Sequence, residues 1–312
     1  MGTMRIFVTG GAGFIGSHTT RVLLEHGHRV TVFDDLSSGR RELVPPGAEF
    51  VRGGLKESRK LAQALAGHDA VVHLAAFIAV GVSVQRPVEF AENNVVNTVR
   101  LLEAMHQAGI GRIVFSSSAT VYGVPKRLPL REVDPVGVQS NPYGATKVAA
   151  EAFVGAYHQL YGFDATVLRY FNPFGPNELC EPETHLVPNV IRAGLERRPI
   201  PLYWNGEQVR DFIYVEDLAA AHAGVLGLKG LNYFNVGSET GTRVRDIVQA
   251  VTDILGYTVP IDDLGPRPGD VAATYASSER LRKATGWRPA IGLHEGLRRT
   301  VEYYRSRLKT ET

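Results

Sequence analysis

The sequence holds a tyrosine–lysine pair whose spacing suits proton transfer. In Tyr143-Gly144-Ala145-Thr146-Lys147 the lysine follows the tyrosine by four residues, which on a helix puts both side chains on one face. A free phenol titrates near pKa ~10. An ammonium a few ångströms away, aided by a cationic cofactor ring, predicts a phenol brought down towards neutrality, where it takes and returns protons effectively. A second match, Tyr122 to Lys126, encloses Gly123 and Pro125, which break a helix, so those side chains would not share a face. Pro142, by contrast, is tolerated in a first helical turn, and the segment runs on through Ala145 to Ala156 as good helix former. Ser116-Ser117-Ser118 follow the β-branched run Arg112–Phe115, and one of these hydroxyls can bridge a substrate and the phenol.

A second constellation would hold a dinucleotide. Thr9-Gly10-Gly11-Ala12-Gly13-Phe14-Ile15-Gly16 contains Gly10-x-x-Gly13-x-x-Gly16, a pattern that this glycine content produces about 0.4 times by chance, so its context decides. It follows the strand-like run Arg5–Val8 and opens a helix, where a tight turn brings backbone N–H groups and the positive helix end against a pyrophosphate. Asp34 closes the next strand-like run. A carboxylate there accepts from both adenosine ribose hydroxyls and repels a 2′-phosphate, which favours NAD, while Arg40 and Arg41 just behind keep NADP open.

These residues need a scaffold, and the chain reads as α/β. Arg5–Val8, Arg29–Phe33, Ala70–His73, Arg112–Phe115 and Ala165–Arg169 read as strands, with helices at Ser17–His26, Ser58–Ala66, Glu89–Gln107 and Pro142–Tyr161 between them. Such alternation predicts a doubly wound parallel sheet, Rossmann-like, joined by right-handed crossovers. After Asn172 four prolines fall between 173 and 188, marking a loop-rich boundary. Residues 1–172 are therefore expected to bind the dinucleotide, with 211–238 returning to that domain, and 173–312 to form a smaller C-terminal α/β substrate domain. Within the latter, Leu186–Glu196, Val244–Leu255 and Leu293–Arg307 read as helices and Tyr233–Val236 as a strand.

Composition excludes several classes. With 34 Lys plus Arg against 32 Asp plus Glu the net charge is +2, which leaves no clustered basic excess for nucleic acid. The longest apolar stretch, Ala70 to Val84, is shorter than the ~20 residues of a membrane span and contains His73 and Ser83. The single Cys180 cannot form an intrachain disulfide, and no charged n-region with an apolar h-region opens the chain, so a cytoplasmic location is expected. No His-Glu-x-x-His or clustered Cys/His pattern predicts a metal, and Cys180, without a nearby His, is assigned no role.

Taken together the motifs resemble the extended short-chain dehydrogenase/reductases, and within them the NAD-dependent nucleotide-sugar epimerases. The resemblance is carried by Thr9 to Gly16, Phe33 to Gly39, His73-Leu74-Ala75-Ala76, Phe115 to Gly123, Tyr143 to Lys147, Leu168 to Pro173, Arg210-Asp211-Phe212 and Arg267-Pro268-Gly269-Asp270. It implies Ser118, Tyr143 and Lys147 as the catalytic set. It further implies a cofactor site of Gly10, Gly13, Phe14, Ile15, Gly16, Asp34, Asp35, Ser38, Gly39, Leu55, Leu74, Ala75, Ala76, Asn93, Ser116, Tyr143, Lys147 and Tyr170. Ser118, Asn172, His185, Leu186, Trp204, Arg210, Arg267 and Asp270 would contact a UDP-sugar, arginines being suited to bidentate binding of phosphate oxygens. The implied reaction is C4 epimerisation through a 4-keto sugar, and the implied assembly a homodimer pairing helices Glu89–Gln107 and Pro142–Tyr161, with Phe153 in the seam.

The sequence also departs from that pattern. Gly54 stands where many members place an Asp against the adenine amine, and Ile78 and His185 where familiar hexose epimerases carry Lys and Asn. Thr274 replaces a bulky Tyr of some relatives, which suggests room for an N-acetylated hexose; a UDP-glucuronate 4-epimerase would keep every catalytic residue. Ala119 and Thr120 occupy the places of the acidic pair that related dehydratases use to eliminate water, which disfavours dehydration. A net nucleotide-sugar reductase, or a dinucleotide-binding protein without catalysis, remain the readings from other classes.

Overall fold

The β-branched runs of the first half bury both faces, as strands of a parallel sheet must. In a computed structural model the described residues are 2–179, 185–265 and 271–311. In chain order, β1 (Arg5–Thr9), α1 (Phe14–Glu25), β2 (Arg29–Asp34), β3 (Glu49–Arg52), α2 (Ser58–Leu65) and β4 (Ala70–His73) come first. There follow α3 (Val80–Gln85), α4 (Pro87–Ala91), α5 (Asn97–Gln107), β5 (Arg112–Ser118), α6 (Pro142–Tyr161), β6 (Asp164–Tyr170) and β7 (Asn172–Phe174). The remainder comprises α7 (Leu186–Leu195), β8 (Ile200–Leu202), β9 (Val209–Tyr214), α8 (Val215–Val225), β10 (Leu231–Val236) and β11 (Gly241–Arg243). It closes with α9 (Val244–Leu255), β12 (Ile261–Asp263), β13 (Ala273–Thr274), α10 (Glu279–Thr285) and α11 (Leu293–Glu311).

Seven strands form one parallel sheet in the order β10-β6-β5-β4-β1-β2-β3. Alternate residues of a strand serve opposite layers: Ile6 and Val8 of β1 pack with Leu23 of α1 and Leu218 of α8, whereas Phe7 packs with Leu61 of α2, Leu102 of α5 and Val154 of α6. The strand order reverses between β1 and β4, so the crevice beyond their carboxyl ends is where a doubly wound sheet binds its ligand. β9 joins β11, β13 and β7 in a small sheet, and β8 pairs with β12. A second core forms there from Ile191 of α7, Ile247 and Val251 of α9, and Val301 and Tyr304 of α11. Of residues 211–238, those up to Tyr214 complete β9 of the small sheet, α8 packs on α1, and β10 is the edge strand beside β6.

Helix α6 has the bounds that its sequence signals predict: Asn141 Oδ1 accepts from Gly144 N at 2.8 Å as the N-cap, and Gly162, at φ 69°, takes the left-handed C-cap conformation. The continuous helix expected over 89–107 is instead α4, a single wide π-type turn at Glu92–Val96, and α5. Asn94 explains the interruption, because its side chain turns inward to donate to Phe77 O at 2.9 Å and Thr146 Oγ1 at 3.1 Å. The first helix starts at Phe14 rather than Ser17, and the short strand Glu49–Arg52 was not predicted, being four residues with an acid and a base at its ends. No helix of the described residues is long and apolar enough to cross a membrane.

Two buried histidines are held neutral. His222 donates from Nδ1 to Leu218 O at 2.9 Å, so its Nε2 accepts from the Tyr170 hydroxyl. Thr98 Oγ1 donates to Asn94 O at 2.7 Å, so it accepts from His73 Nε2 at 2.9 Å, leaving Nδ1 to accept from Thr9 Oγ1 at 2.7 Å. Burial pushes His73 down to about 3, with the Lys147 charge adding to it, and His222 down to about 4. Since both lie below the unfolded value of 6.5, the unfolded chain binds these protons more readily. Their contribution to stability is whole above that pH and is lost as pH falls through this window. Replacing His222 with Gln, which still accepts from Tyr170 and cannot ionise, is expected to reduce the loss of unfolding free energy between pH 7 and 5 by roughly 2 kcal/mol, measured by urea titration.

Candidate active site

The glycine loop owes its shape to two close approaches. Gly10 has φ +72°, and a Cβ there would lie 2.6 Å from Ala75 N; a Cβ on Gly16 would lie 2.1 Å from Gly10 O. The loop is thereby pressed between the end of β4 and the start of α1. A Cβ on Gly13 would meet nothing nearer than Gly10 O at 3.3 Å, and no side chain caps α1. Asp34, at the end of β2, accepts from Ala12 N at 3.0 Å and Leu36 N at 2.9 Å, and burial holds its carboxyl above the usual range. It therefore buttresses the loop at the end of the strand where the sequence expects the ribose contact.

The neighbouring cofactor candidates surround this crevice. A Cβ on Gly39 would come within 2.9 Å of Asp34 Oδ1, and Ser38 beside it is exposed. Asp35 Oδ1 accepts from Ser37 N at 2.8 Å. Leu74 N donates to Thr9 O at 3.1 Å, and Ala75 and Ala76 follow it across the switch point. Phe14 and Leu55 are buried, and Ile15 is half-buried. At Gly54, the backbone N–H donates to Glu57 Oε1 at 2.7 Å. Asn93 is half-buried and donates to Asn94 Oδ1 at 3.1 Å, so the inward-facing amide of the pair belongs to Asn94.

Ser118, Tyr143 and Lys147 come together over the carboxyl end of β5. The phenol is buried and shares a hydrogen bond with the Ser118 side chain. Ser83 Oγ accepts from Tyr143 N at 3.2 Å, fixing the first turn of α6 from α3. Lys147, 4% exposed, donates from Nζ to Ser116 O at 2.8 Å, and its Nζ lies 6.0 Å from the centre of the Tyr143 ring. The expectation of a phenol near neutrality does not hold for the chain by itself. Burial pushes Tyr143 up to about 12 against the Ser118 hydrogen bond, and pushes the Lys147 ammonium down to about 8. The ammonium is engaged by the Ser116 carbonyl, and desolvation of the phenol outweighs its hydrogen bond with Ser118. Ser116 shares a hydrogen bond with Tyr170, whose ring is buried between β6 and α8.

Tyr122, the rival tyrosine, is buried, donates to Asn235 Oδ1 at 2.6 Å and is pushed up to about 12 by burial, while Lys126 is exposed. Sequence reasoning missed Asn94 and Ser83, because their partners lie on other elements. It also missed Glu151, one turn beyond Lys147, for which the helical spacing was a usable signal.

Several substrate candidates collect around the small sheet. Asn172 opens β7 and is exposed, and Arg210 of β9 stands beside Thr274 of β13, donating to Val209 O at 2.9 Å and Val271 O at 2.7 Å. Trp204, half-buried, sits at φ +53° in the turn between β8 and β9. His185 precedes Leu186, the first residue of α7, and its Nδ1 pairs at 2.6 Å with the Glu178 carboxyl, itself raised by burial. Ile78 is exposed. Cys180, Arg267 and Asp270 lie outside the described residues.

The residues present fit a dinucleotide: a loop without side chains at Gly10, Gly11 and Gly13 before an uncapped helix start, and a carboxylate at the end of the next strand. The model of the NAD dependent epimerase/dehydratase family matches residues 6–237. The chain belongs to that family. It is 39% identical over 318 residues to the UDP-glucose 4-epimerase of Corynebacterium glutamicum, covering 96% of this chain and 94% of that one. The crystal structure of UDP-glucose 4-epimerase from Thermotoga maritima with UDP-glucose superposes with a TM-score of 0.93 at 33% identity, covering 98% and 100% of the two chains. That of Thermus thermophilus UDP-glucose 4-epimerase in complex with NAD gives 0.90 at 37% identity, covering 97% and 99%. In a member of this family, Gly10→Ala should cost ~1–3 kcal/mol in backbone strain and weaken NAD binding at least about tenfold, because the loop must move off Ala75. Calorimetric titration of the cofactor-free protein with NAD measures this; unchanged affinity would mean that the loop does not touch the cofactor.

Proposed function

We propose that this chain is an NAD-dependent UDP-sugar 4-epimerase of the UDP-glucose/UDP-galactose type. The observation that carries the reading is the set Ser118, Tyr143 and Lys147 at the carboxyl end of β5, with Ala119 and Thr120 in place of the acidic pair a dehydratase needs. Residues 1–172 together with the returning segment would bind the dinucleotide, and 173–312 the nucleotide sugar. Asn172, Arg210 and His185 would face the substrate, and Arg267 and Asp270 complete the proposed set.

In this reading Tyr143 removes the proton of the sugar 4-hydroxyl and returns it after the 4-keto sugar has turned over. NAD, when bound, supplies the hydride acceptor and a positive ring charge that opposes the burial of the phenolate. Ser118 bridges the phenol and the sugar oxygen. Lys147, protonated below about 8, holds a positive charge beneath the phenol while its bond to Ser116 O keeps it from swinging away. Binding energy belongs on the nucleotide, because the hexose must rotate between the two hydride transfers. The exposed Val84, Val88, Val96, Phe153 and Leu160 lie on α3 to α6 and support a homodimer packed through these helices.

Tyr143→Phe should retain bound NAD and lose about 10²–10⁴-fold in kcat, followed by proton NMR of UDP-glucose and UDP-galactose interconversion. Full activity would remove Tyr143 from the mechanism. In the same assay, Thr274 leads us to expect turnover of UDP-N-acetylglucosamine; strict preference for the unsubstituted sugar would show that Thr274 does not open the pocket. Exclusive turnover of UDP-glucuronate would transfer the reading to that epimerase.

A further inference from the structure

One turn beyond Lys147, on the same face of α6, stands a carboxylate to which the mechanism above gives no work. Glu151 is 5% exposed. A bare carboxylate in that position would be strongly destabilising, and it is met by three donors: Ser117 Oγ at 2.5 Å, Arg169 Nε at 3.0 Å and Arg169 Nη2 at 2.7 Å. Arg169 Nη1 donates in turn to the Tyr122 hydroxyl at 3.0 Å, and that hydroxyl to Asn235 Oδ1 at 2.6 Å. The clamp thus ties α6 to β5, β6 and β10, the strands beneath it.

Its register against the catalytic groups is the telling feature. Three consecutive residues of β5 meet three α6 residues spaced one turn apart. Ser116 accepts Lys147 through its carbonyl, Ser117 donates to Glu151, and Ser118 hydrogen-bonds Tyr143. A buried ion pair is often no more stabilising than apolar residues of the same volume, so stability alone is a weak reason for it. We propose that Glu151 is a positioning residue of the tyrosine–lysine pair: held by Arg169 and Ser117, it locks α6 in register on β5 and supplies the negative charge that keeps the Lys147 ammonium in place. This rests on the active-site reading above for its consequence in turnover, but not for the coupling itself.

The charged and titratable groups around Lys147 are few. Tyr143 and Glu151 share its helix, and the Phe115 ring of β5 lies 5.3 Å from Nζ. His73 of β4 is neutral, and Arg169 of β6 lies behind Glu151, with Tyr122 and Tyr233 against its guanidinium. Among these, Glu151 opposes the desolvation that lowers the ammonium. Neutralising it removes the charge that opposes that desolvation.

The test titrates the Lys147 side chain by ¹³C NMR of lysine labelled at Cε in the NAD-bound protein, beside the pH profile of kcat. In Glu151→Gln the lysine midpoint is expected to fall by at least one pH unit from about 8. The alkaline limb of kcat should fall with it, with KM little changed and activity partly recovered towards pH 6. If that variant does not fold, the double variant Glu151→Gln/Arg169→Gln removes both buried charges and should show the same direction of shift. A folded variant with the wild-type lysine midpoint overturns the proposal. The NMR midpoint reads the Glu151–Lys147 coupling whether or not Tyr143 proves to be the acid/base, so failure of the active-site reading would appear separately, as undiminished activity of Tyr143→Phe.

Discussion

An ammonium with almost no access to water is the constraint around which this protein is arranged. Lys147 is pushed down by desolvation, and its ammonium donates to one carbonyl of β5. A charge kept in such surroundings requires compensation close by, and the carboxylate of Glu151 can be there only because Arg169 and Ser117 compensate it in turn. The chain of dependencies runs from one side chain on α6 through three strands of the sheet. The cap of α6 at Asn141 and its stop at Gly162 set where that face begins and ends.

The second constraint is steric. The dinucleotide crevice lies where the strand order reverses, and there the loop backbone approaches Leu74 and Ala75, just after β4, too closely for a side chain at Gly10, while its own turn leaves no room for one at Gly16. Asp34 is drawn into the same packing by its bonds to Ala12 and Leu36. The carboxylate expected to read the ribose is thus also a support of the loop, so a change at Asp34 would alter loop shape whatever it did to ribose recognition. On the far side of the switch point, His73 joins β1 to α5 through two threonines, which keeps Leu74 to Ala76 against the loop.

Much of this was legible from one-dimensional spacing. The strand–glycine loop–helix pattern, the acid at the end of the next strand and the Tyr143–Lys147 interval each depend on neighbours within a few residues, and the structure keeps them where the spacing puts them. The Tyr122–Lys126 rival also failed for a local reason, the helix breakers between them. Less legible was anything whose partner is distant in the chain. Asn94 interrupts a helix to reach Phe77 and Thr146, 17 and 52 positions away, and no periodicity announces that.

By itself, then, the sequence determined the order and type of the main elements, the glycine loop and the shared helical face of Tyr143 and Lys147. Local propensity, turn chemistry and helical spacing act over short stretches and survive in any compact form of the chain. Only the tertiary structure decided how those residues are charged. Tyr143 is held above, and Lys147 below, their ordinary values by the packing of α6 on β5, because desolvation is a property of everything that surrounds a group, not of the residues beside it in sequence.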